Sequence, residues 1–251
     1  MSLFDRNLFA GKNVVVTGAG RGIGLSVASM FKAHGAKVLT HSGRIGTASH
    51  LTDIAEENFE ADFASQTGAS SFVTWVSSQV DQVDVLVNNA GTMLGRFPAD
   101  ALTDDAYQAL VALNQTAVVQ ITRGLVPLLR TSGSGAIINT VSISASTGGS
   151  PGSSIYSATK AFVSTYTKAL ARELAPDGIR ANAVSPGTIM TDFHKRYSSE
   201  EKLEAARKSI PLQRLGTPED CAPAYLFLAS ENLSGFITGQ VLEVNGGQLI
   251  A

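Results

Sequence analysis

The chain alternates two apolar patterns: short β-branched runs, and longer stretches with apolar residues three or four positions apart. The first run, Asn13-Val14-Val15-Val16-Thr17, has no charged interruption, which predicts a strand covered on both faces of a parallel sheet. Comparable runs predict strands over 36–41, 59–63, 83–87, 135–141, 179–184 and 240–247. Helical spacing predicts helices after Gly24, over 69–80, from 103 to 129, from 155 to 174 and from 217 to 229. Thr103 reads as the N-cap of the long third helix, with Asp104 and Asp105 in its first turn, and Pro127 is expected to end or kink it. Gly35 reads as a helix C-cap and Thr217-Pro218 as a helix start.

Strands alternating with helices predict an α/β fold, a single-domain doubly wound parallel sheet of about seven strands with helices on both faces, spanning 1–251. Two segments break the rhythm. Residues 45–57 hold only a short helix candidate. Residues 188–215 join the bulky Phe193-His194-Lys195-Arg196-Tyr197 to a charged helical stretch, which predicts a mobile substrate flap over a pocket.

Chemistry enters at the turn after the first strand. Gly18, Gly22 and Gly24, with Gly20, Arg21 and Ile23 between them, form a G-x-x-x-G-x-G spacing that opens directly into a helix. A helix N-terminus offers unpaired N–H groups, and residues lacking Cβ let a pyrophosphate approach the backbone. At the tip of the second strand such folds place an acidic residue against a ribose 2′-hydroxyl. Here that position reads Ser42-Gly43-Arg44, with no carboxylate. Arg44, with Arg21 in the glycine turn, suits a 2′-phosphate, so NADP is favoured and NAD remains possible; the alternative is that both arginines face solvent. His41 either lies near the same ribose or is a strand-end residue without a ligand.

Tyr156 and Lys160 lie four residues apart, on one face of a predicted helix. A nearby cation favours phenolate and is expected to lower the tyrosine pKa toward the working range. Ser142, Ser144 and Ser146 follow the fifth strand, where a hydroxyl opens into the crevice and can bond a carbonyl oxygen. Asn114 is a polar residue in an apolar helical setting, where its amide must hold a water or a backbone carbonyl.

Composition removes other classes. A net charge of −2 gives no footprint for nucleic acid or an anionic membrane, and no apolar run approaches spanning length. The single cysteine, Cys221, excludes an intrachain disulfide and fits a reducing cytosol; the N-terminus lacks a secretory signal. The four histidines show no metal-ligand spacing, so no metal site is expected. The expected location is cytoplasmic.

Together, Thr17 to Gly24, Asn88-Asn89-Ala90-Gly91, Tyr156-Ser157-Ala158-Thr159-Lys160, Pro186-Gly187-Thr188 and Asn245-Gly246-Gly247 resemble the short-chain dehydrogenase/reductase family in order and spacing. The resemblance covers nearly the whole length. It implies an NAD(P)-dependent enzyme interconverting an alcohol and a ketone or aldehyde, with Tyr156 as acid/base and Lys160 lowering its pKa and holding the nicotinamide ribose. Ser142 would polarise the carbonyl, and Asn114 would anchor a water in a proton relay. The glycine turn would take the pyrophosphate side, Asp62 with Phe63 the adenine, and Asn89, Ala90 and Gly91 the adenosine ribose region. Pro186, Gly187 and Ile189 would meet the carboxamide, supported by Thr191. Ser142, Ser144, Met190 and Phe193 would face a small-molecule substrate, in a likeness whose members are usually homotetramers. The position reserved for the family's serine is Ile143 here; Ser142, three residues after Asn139, fits best and Ser144 is second. A catalytically silent cofactor-sensing or scaffold protein is the competing reading, and retention of both Tyr156 and Lys160 argues against it.

Overall fold

The structure is a computed structural model that describes residues 5–43, 51 and 53–250. Arg44 and most of the weak 45–57 helix candidate lie outside these residues. The chain runs through β1 (Asn13–Val16), α1 (Gly22–Ala33), β2 (Lys37–Ser42), β3 (Glu57–Glu60), α2 (Gly68–Gln79) and β4 (Val85–Asn88). It continues through α3 (Asp104–Val111), a π-helical turn (Ala112–Thr116), α4 (Ala117–Ser132), β5 (Ala136–Thr140), α5 (Ser144–Thr147) and α6 (Ser154–Leu174). The last part comprises β6 (Arg180–Pro186), α7 (Asp192–Tyr197), α8 (Glu200–Ser209), α9 (Pro218–Ala229), α10 (Glu231–Ser234) and β7 (Val241–Val244).

All seven strands pair in parallel, in the order β3-β2-β1-β4-β5-β6-β7. Alternate residues of the central strands enter opposite cores, which explains their uninterrupted apolar runs. Val14, Val16, Val85, Val87 and Ile138 pack with α1 and α9 around Phe31 and Tyr225. Val15, Leu86 and Ile137 pack with α2, α4 and α6 around Phe72, Leu125 and Leu174. The fold is therefore the doubly wound parallel sheet the pattern implies. Its order reverses between β1 and β4, and the crevice beyond their C-terminal ends is where such sheets take ligands.

The long third helix differs in detail from its sequence pattern. Thr103 caps it as expected, its side chain accepting from the Ala106 amide. Pro127 does not end it: α4 runs on to Ser132, because Ile121, Leu125 and Leu129 bury one face and hold the turn that lacks a hydrogen bond. The irregularity falls at Asn114 instead, inside the π-helical turn. At the other end, the capping box of Thr217 and Asp220 starts α9. The buried Arg180 guanidinium caps the end of that helix, donating to the carbonyls of Leu228 and Ala229 at 2.7 and 3.0 Å.

Asp84, before β4, ties several elements together. Its carboxylate accepts from the Asn13 amide at 2.8 Å, the Lys12 ammonium at 3.0 Å and the Ser132 hydroxyl at 2.7 Å. Burial disfavours its charge, but these donors outweigh that and hold its pKa below the usual carboxylate range. Asp84→Asn should therefore cost about 1–3 kcal/mol of stability at neutral pH in urea titrations. The contribution is complete above the unfolded-state pKa near 4 and fades as pH falls through the lowered native value, so wild type and variant converge in acid.

Candidate active site

The crevice is closed at one end by two turns laced to each other. Thr17 Oγ1 accepts from the amides of Asn89 and Ala90 at 3.0 and 3.1 Å, and Asn89 Nδ2 donates to the carbonyls of Thr17 and Gly18, both at 3.1 Å. Gly18 has a φ of +66°, and a Cβ there would stand 2.8 Å from Ala90 Cα, so only glycine fits the approach. His41 supports the same turn from β2. Its Nδ1 accepts from the Gly18 amide at 3.2 Å, its Nε2 donates to the Ala61 carbonyl at 2.9 Å, and its ring stacks on Phe63. Burial pushes the imidazole down to about 4, which keeps it neutral for both bonds.

Beyond this turn, α1 begins at Gly22 with no side-chain cap and no acidic residue in its first turn. Its leading N–H groups thus remain available to an anion in the cleft. Arg21 stands beside them, 3.7 Å from Asp192.

At the other end, the Tyr156 ring packs 5.8 Å from Phe193, with Ser142 near enough to the phenol to lower its pKa. Ser144 donates its hydroxyl to Ser142 at 2.9 Å. Lys160 is buried; its Nζ donates to the Thr140 carbonyl at 2.8 Å and lies 5.9 Å from the Tyr156 ring centroid. Thr140 in turn hydrogen-bonds Tyr225 through its hydroxyl. Behind them Asn114, fully buried, accepts from the Thr92 amide and donates to the carbonyls of Thr92 and Leu110. A Cβ on Gly91 would come within 2.7 Å of Asn114 Oδ1 and 3.1 Å of Lys160 Nζ, so that glycine lets both side chains reach the strand end.

The pKa of the phenol departs from the sequence expectation in the chain alone. Burial pushes Tyr156 up to about 12, with nearby Ser142 pulling it back part-way. Burial also pushes Lys160 down to about 8. Desolvation disfavours charge on either group, and Nζ is committed to the Thr140 carbonyl.

Ser142, Ser144, Tyr156, Lys160 and Phe193 line one cleft of about 1290 Å³ together with the glycine turn Gly18 to Gly24, Ser42, Phe63, Asn89 to Gly91, Pro186, Gly187, Ile189 and Thr191. Three predicted residues do not line it. Asp62 faces solvent, its carboxylate accepting from the Ala64 amide. Met190 is 37% exposed on the outer side, because its buried neighbour Ile189 pairs with Gly216 and the next side chain must point away. Asn114 sits behind the lining, turned toward Thr92 and Leu110. Arg44 lies outside the described residues. Sequence reasoning overlooked the Thr17 hydroxyl and the Thr140 carbonyl, whose roles as acceptors arise only when neighbouring elements are brought together, and also Arg96, which carries no motif.

The glycine cradle and the uncapped helix fit a nucleotide pyrophosphate, and a phenol beside a buried ammonium fits proton transfer, so the fold and cleft define an oxidoreductase of the dinucleotide-binding class. The family model described as enoyl-(acyl carrier protein) reductase matches residues 18–248. A relative from Sinorhizobium fredii, named an uncharacterized short-chain type dehydrogenase/reductase, is 40% identical over 97% of this chain and 99% of its own. Among solved structures, a putative NAD(P)-dependent gluconate 5-dehydrogenase from Beutenbergia cavernae with bound NADP is 32% identical at a TM-score of 0.89, covering 98% of this chain and 100% of its own. The NADH-dependent reductase A1-R′ complexed with NAD is 33% identical at a TM-score of 0.84, covering 98% and 99%. The chain belongs to the short-chain dehydrogenase/reductase family and is an oxidoreductase that uses a nicotinamide cofactor. No helix among the described residues is long and apolar enough to cross a membrane.

Because the Gly18 backbone abuts Ala90, Gly18→Ala should separate the two turns. We expect at least about a tenfold loss of affinity for the reduced coenzyme, read by its fluorescence on titration.

Proposed function

We propose that the chain interconverts an alcohol and a ketone or aldehyde, with Tyr156 moving the proton. The observation that carries this is the placement of the Tyr156 phenol, beside Ser142 and on the same helix face as buried Lys160, in the cleft that the glycine turn also lines. When bound, the nicotinamide ring supplies or accepts the hydride. Ser142 orients the carbonyl oxygen toward the phenol, and Tyr156 delivers its proton to that oxygen during reduction. Lys160 holds the nicotinamide ribose and steadies the phenolate that remains. Asn114 sits behind Lys160 on a helix turn of π geometry, the kind of irregularity that frees a carbonyl to hold a relay water.

A phenol held near 12 stays protonated at neutral pH, which suits reduction. Reduction should be flat below neutrality and decline as pH rises through about 8, where Lys160 gives up its charge; oxidation should increase with pH. Tyr156→Phe should lower kcat by about 10²–10⁴-fold in a coenzyme-coupled assay while the coenzyme Kd changes little. Undiminished turnover in that variant would remove Tyr156 from the proton path.

NADP is the proposed coenzyme, supported by the lack of a carboxylate on β2 and at Gly43 and by Arg44 beyond them. Arg44→Gln should weaken NADPH about tenfold more than NADH in parallel titrations; equal losses would withdraw the preference. The assembly we favour is a homotetramer of cytoplasmic location. Tyr107 and Phe162 on the outer faces of α3 and α6, and Leu242 on edge strand β7, are exposed apolar side chains that such packing would cover.

A further inference from the structure

The substrate end of the cleft is charged in one sense. Arg96, Arg196 and Lys202 all line it, whereas Asp192, the carboxylate among the lining residues, stands toward Arg21 at the coenzyme end. Arg196 and Lys202 have exposed side chains on α7 and α8 and form no ion pair among the described residues.

Arg96 is held differently. Its Nε donates to the Tyr197 carbonyl at 2.9 Å, and its Nη1 donates to Ser150 Oγ at 2.8 Å and to the Pro151 carbonyl at 3.0 Å. These three neutral acceptors come from both lips of the cleft. No carboxylate pairs with the guanidinium among the described residues, and Nη2 has no hydrogen-bond partner there. The segment that carries Arg96 is fixed on both sides. Asn114 holds both backbone groups of Thr92, the Phe97 amide donates to the Gly152 carbonyl, and Leu94 between them adopts a φ of +55°, a left-handed conformation that costs a bulky residue energy. From Arg96 contacts run through Tyr197 to Phe193, at 5.1 Å between rings, and on to Tyr156 at 5.8 Å. A fixed cation with two unused N–H groups, on the wall that leads to the phenol, is a ready donor to an oxyanion.

We infer that the substrate is a carbonyl compound bearing an oxyanion, carboxylate or phosphate, and that Arg96 binds that anion through Nη2 while Tyr156 faces the carbonyl. This rests on the reaction proposed above. Arg196 and Lys202 draw the anion toward the mouth, and Arg96 fixes its position.

The test compares kcat/KM for matched ketones and aldehydes that differ only in a free carboxylate, its methyl ester, or a phosphate in the same place. The wild-type enzyme should favour an anionic member over the ester by about tenfold or more, and salt should raise the KM of the anion but not of the ester. In Arg96→Gln the anion-to-ester ratio should fall to about one through KM, with the coenzyme titration showing an intact site. Should that variant not fold, Arg196→Gln with Lys202→Gln should lower the ratio about threefold, since neither side chain is part of the packing. Preference for carboxylate or for phosphate each supports the inference and identifies the anion. Esters turned over as well as acids, equal losses for both in Arg96→Gln, or strong preference for an acyl thioester on an acidic carrier protein would overturn it while leaving the proposed reaction standing. If no carbonyl compound of any charge is turned over, the proposed reaction falls, and this inference with it.

Discussion

The ammonium of Lys160 is buried, with no carboxylate among the described residues to answer it. Its neighbours are the Thr140 carbonyl, the Tyr156 ring and the Gly91 backbone, and desolvation is the cause that moves its pKa. A charge in that position is costly unless something supplies further polar contacts. The surrounding structure is arranged to hold it there: α6 is packed along β5 and β6, Thr140 is fixed through Tyr225, and Gly91 leaves room for Nζ. Within an otherwise rigid sheet this is a site whose electrostatics are incomplete without a ligand. Under the proposed function, a sugar hydroxyl pair beside Nζ and a carbonyl oxygen beside Tyr156 would complete it.

The same constraint explains the irregular helix. Asn114 lies in the π-helical turn, and its amide serves Thr92 as well as Leu110. The loop after β4 is thereby fixed from behind, and with it Gly91 against Lys160 on one side and Arg96 at the substrate mouth on the other. Positioning of the proton-transfer pair and of the mouth thus shares one buried amide.

Much of this was legible in the chain. Uninterrupted apolar runs such as Val14-Val15-Val16 declared strands covered on both faces, and the three glycines between strand and helix declared the turn that opens into α1, because both follow from local sterics and burial. Thr103 and Thr217 declared their helices because a cap is read from a few adjacent residues. What the chain concealed depends on long-range partners. The continuation of α4 through Pro127 rests on a buried face that the local rule for proline ignores. The outward turn of Met190 rests on Ile189 pairing with Gly216, and the raised phenol on a depth of burial that spacing alone does not report. Arg96 gave no signal, since its meaning comes from Ser150, Pro151 and Tyr197, which are far from it in the chain.

The two ends of the cleft are built on different physical terms, and that difference limits how each can vary. The coenzyme end is backbone against backbone: Gly18 against Ala90, Asn89 against Thr17, His41 against Gly18 and Ala61. Nothing there can change without moving strand ends that are hydrogen-bonded to each other across the switch point. The substrate end is side chain against loop, on α7 and α8 and the segments around Arg96 and Ser150, outside the sheet. Its residues can be exchanged without disturbing either core. Under the proposed function the reaction is therefore set by the sheet, whereas the choice of substrate would fall to the few side chains that bridge the lips, of which Arg96 makes three hydrogen bonds and keeps Nη2 unbonded among the described residues.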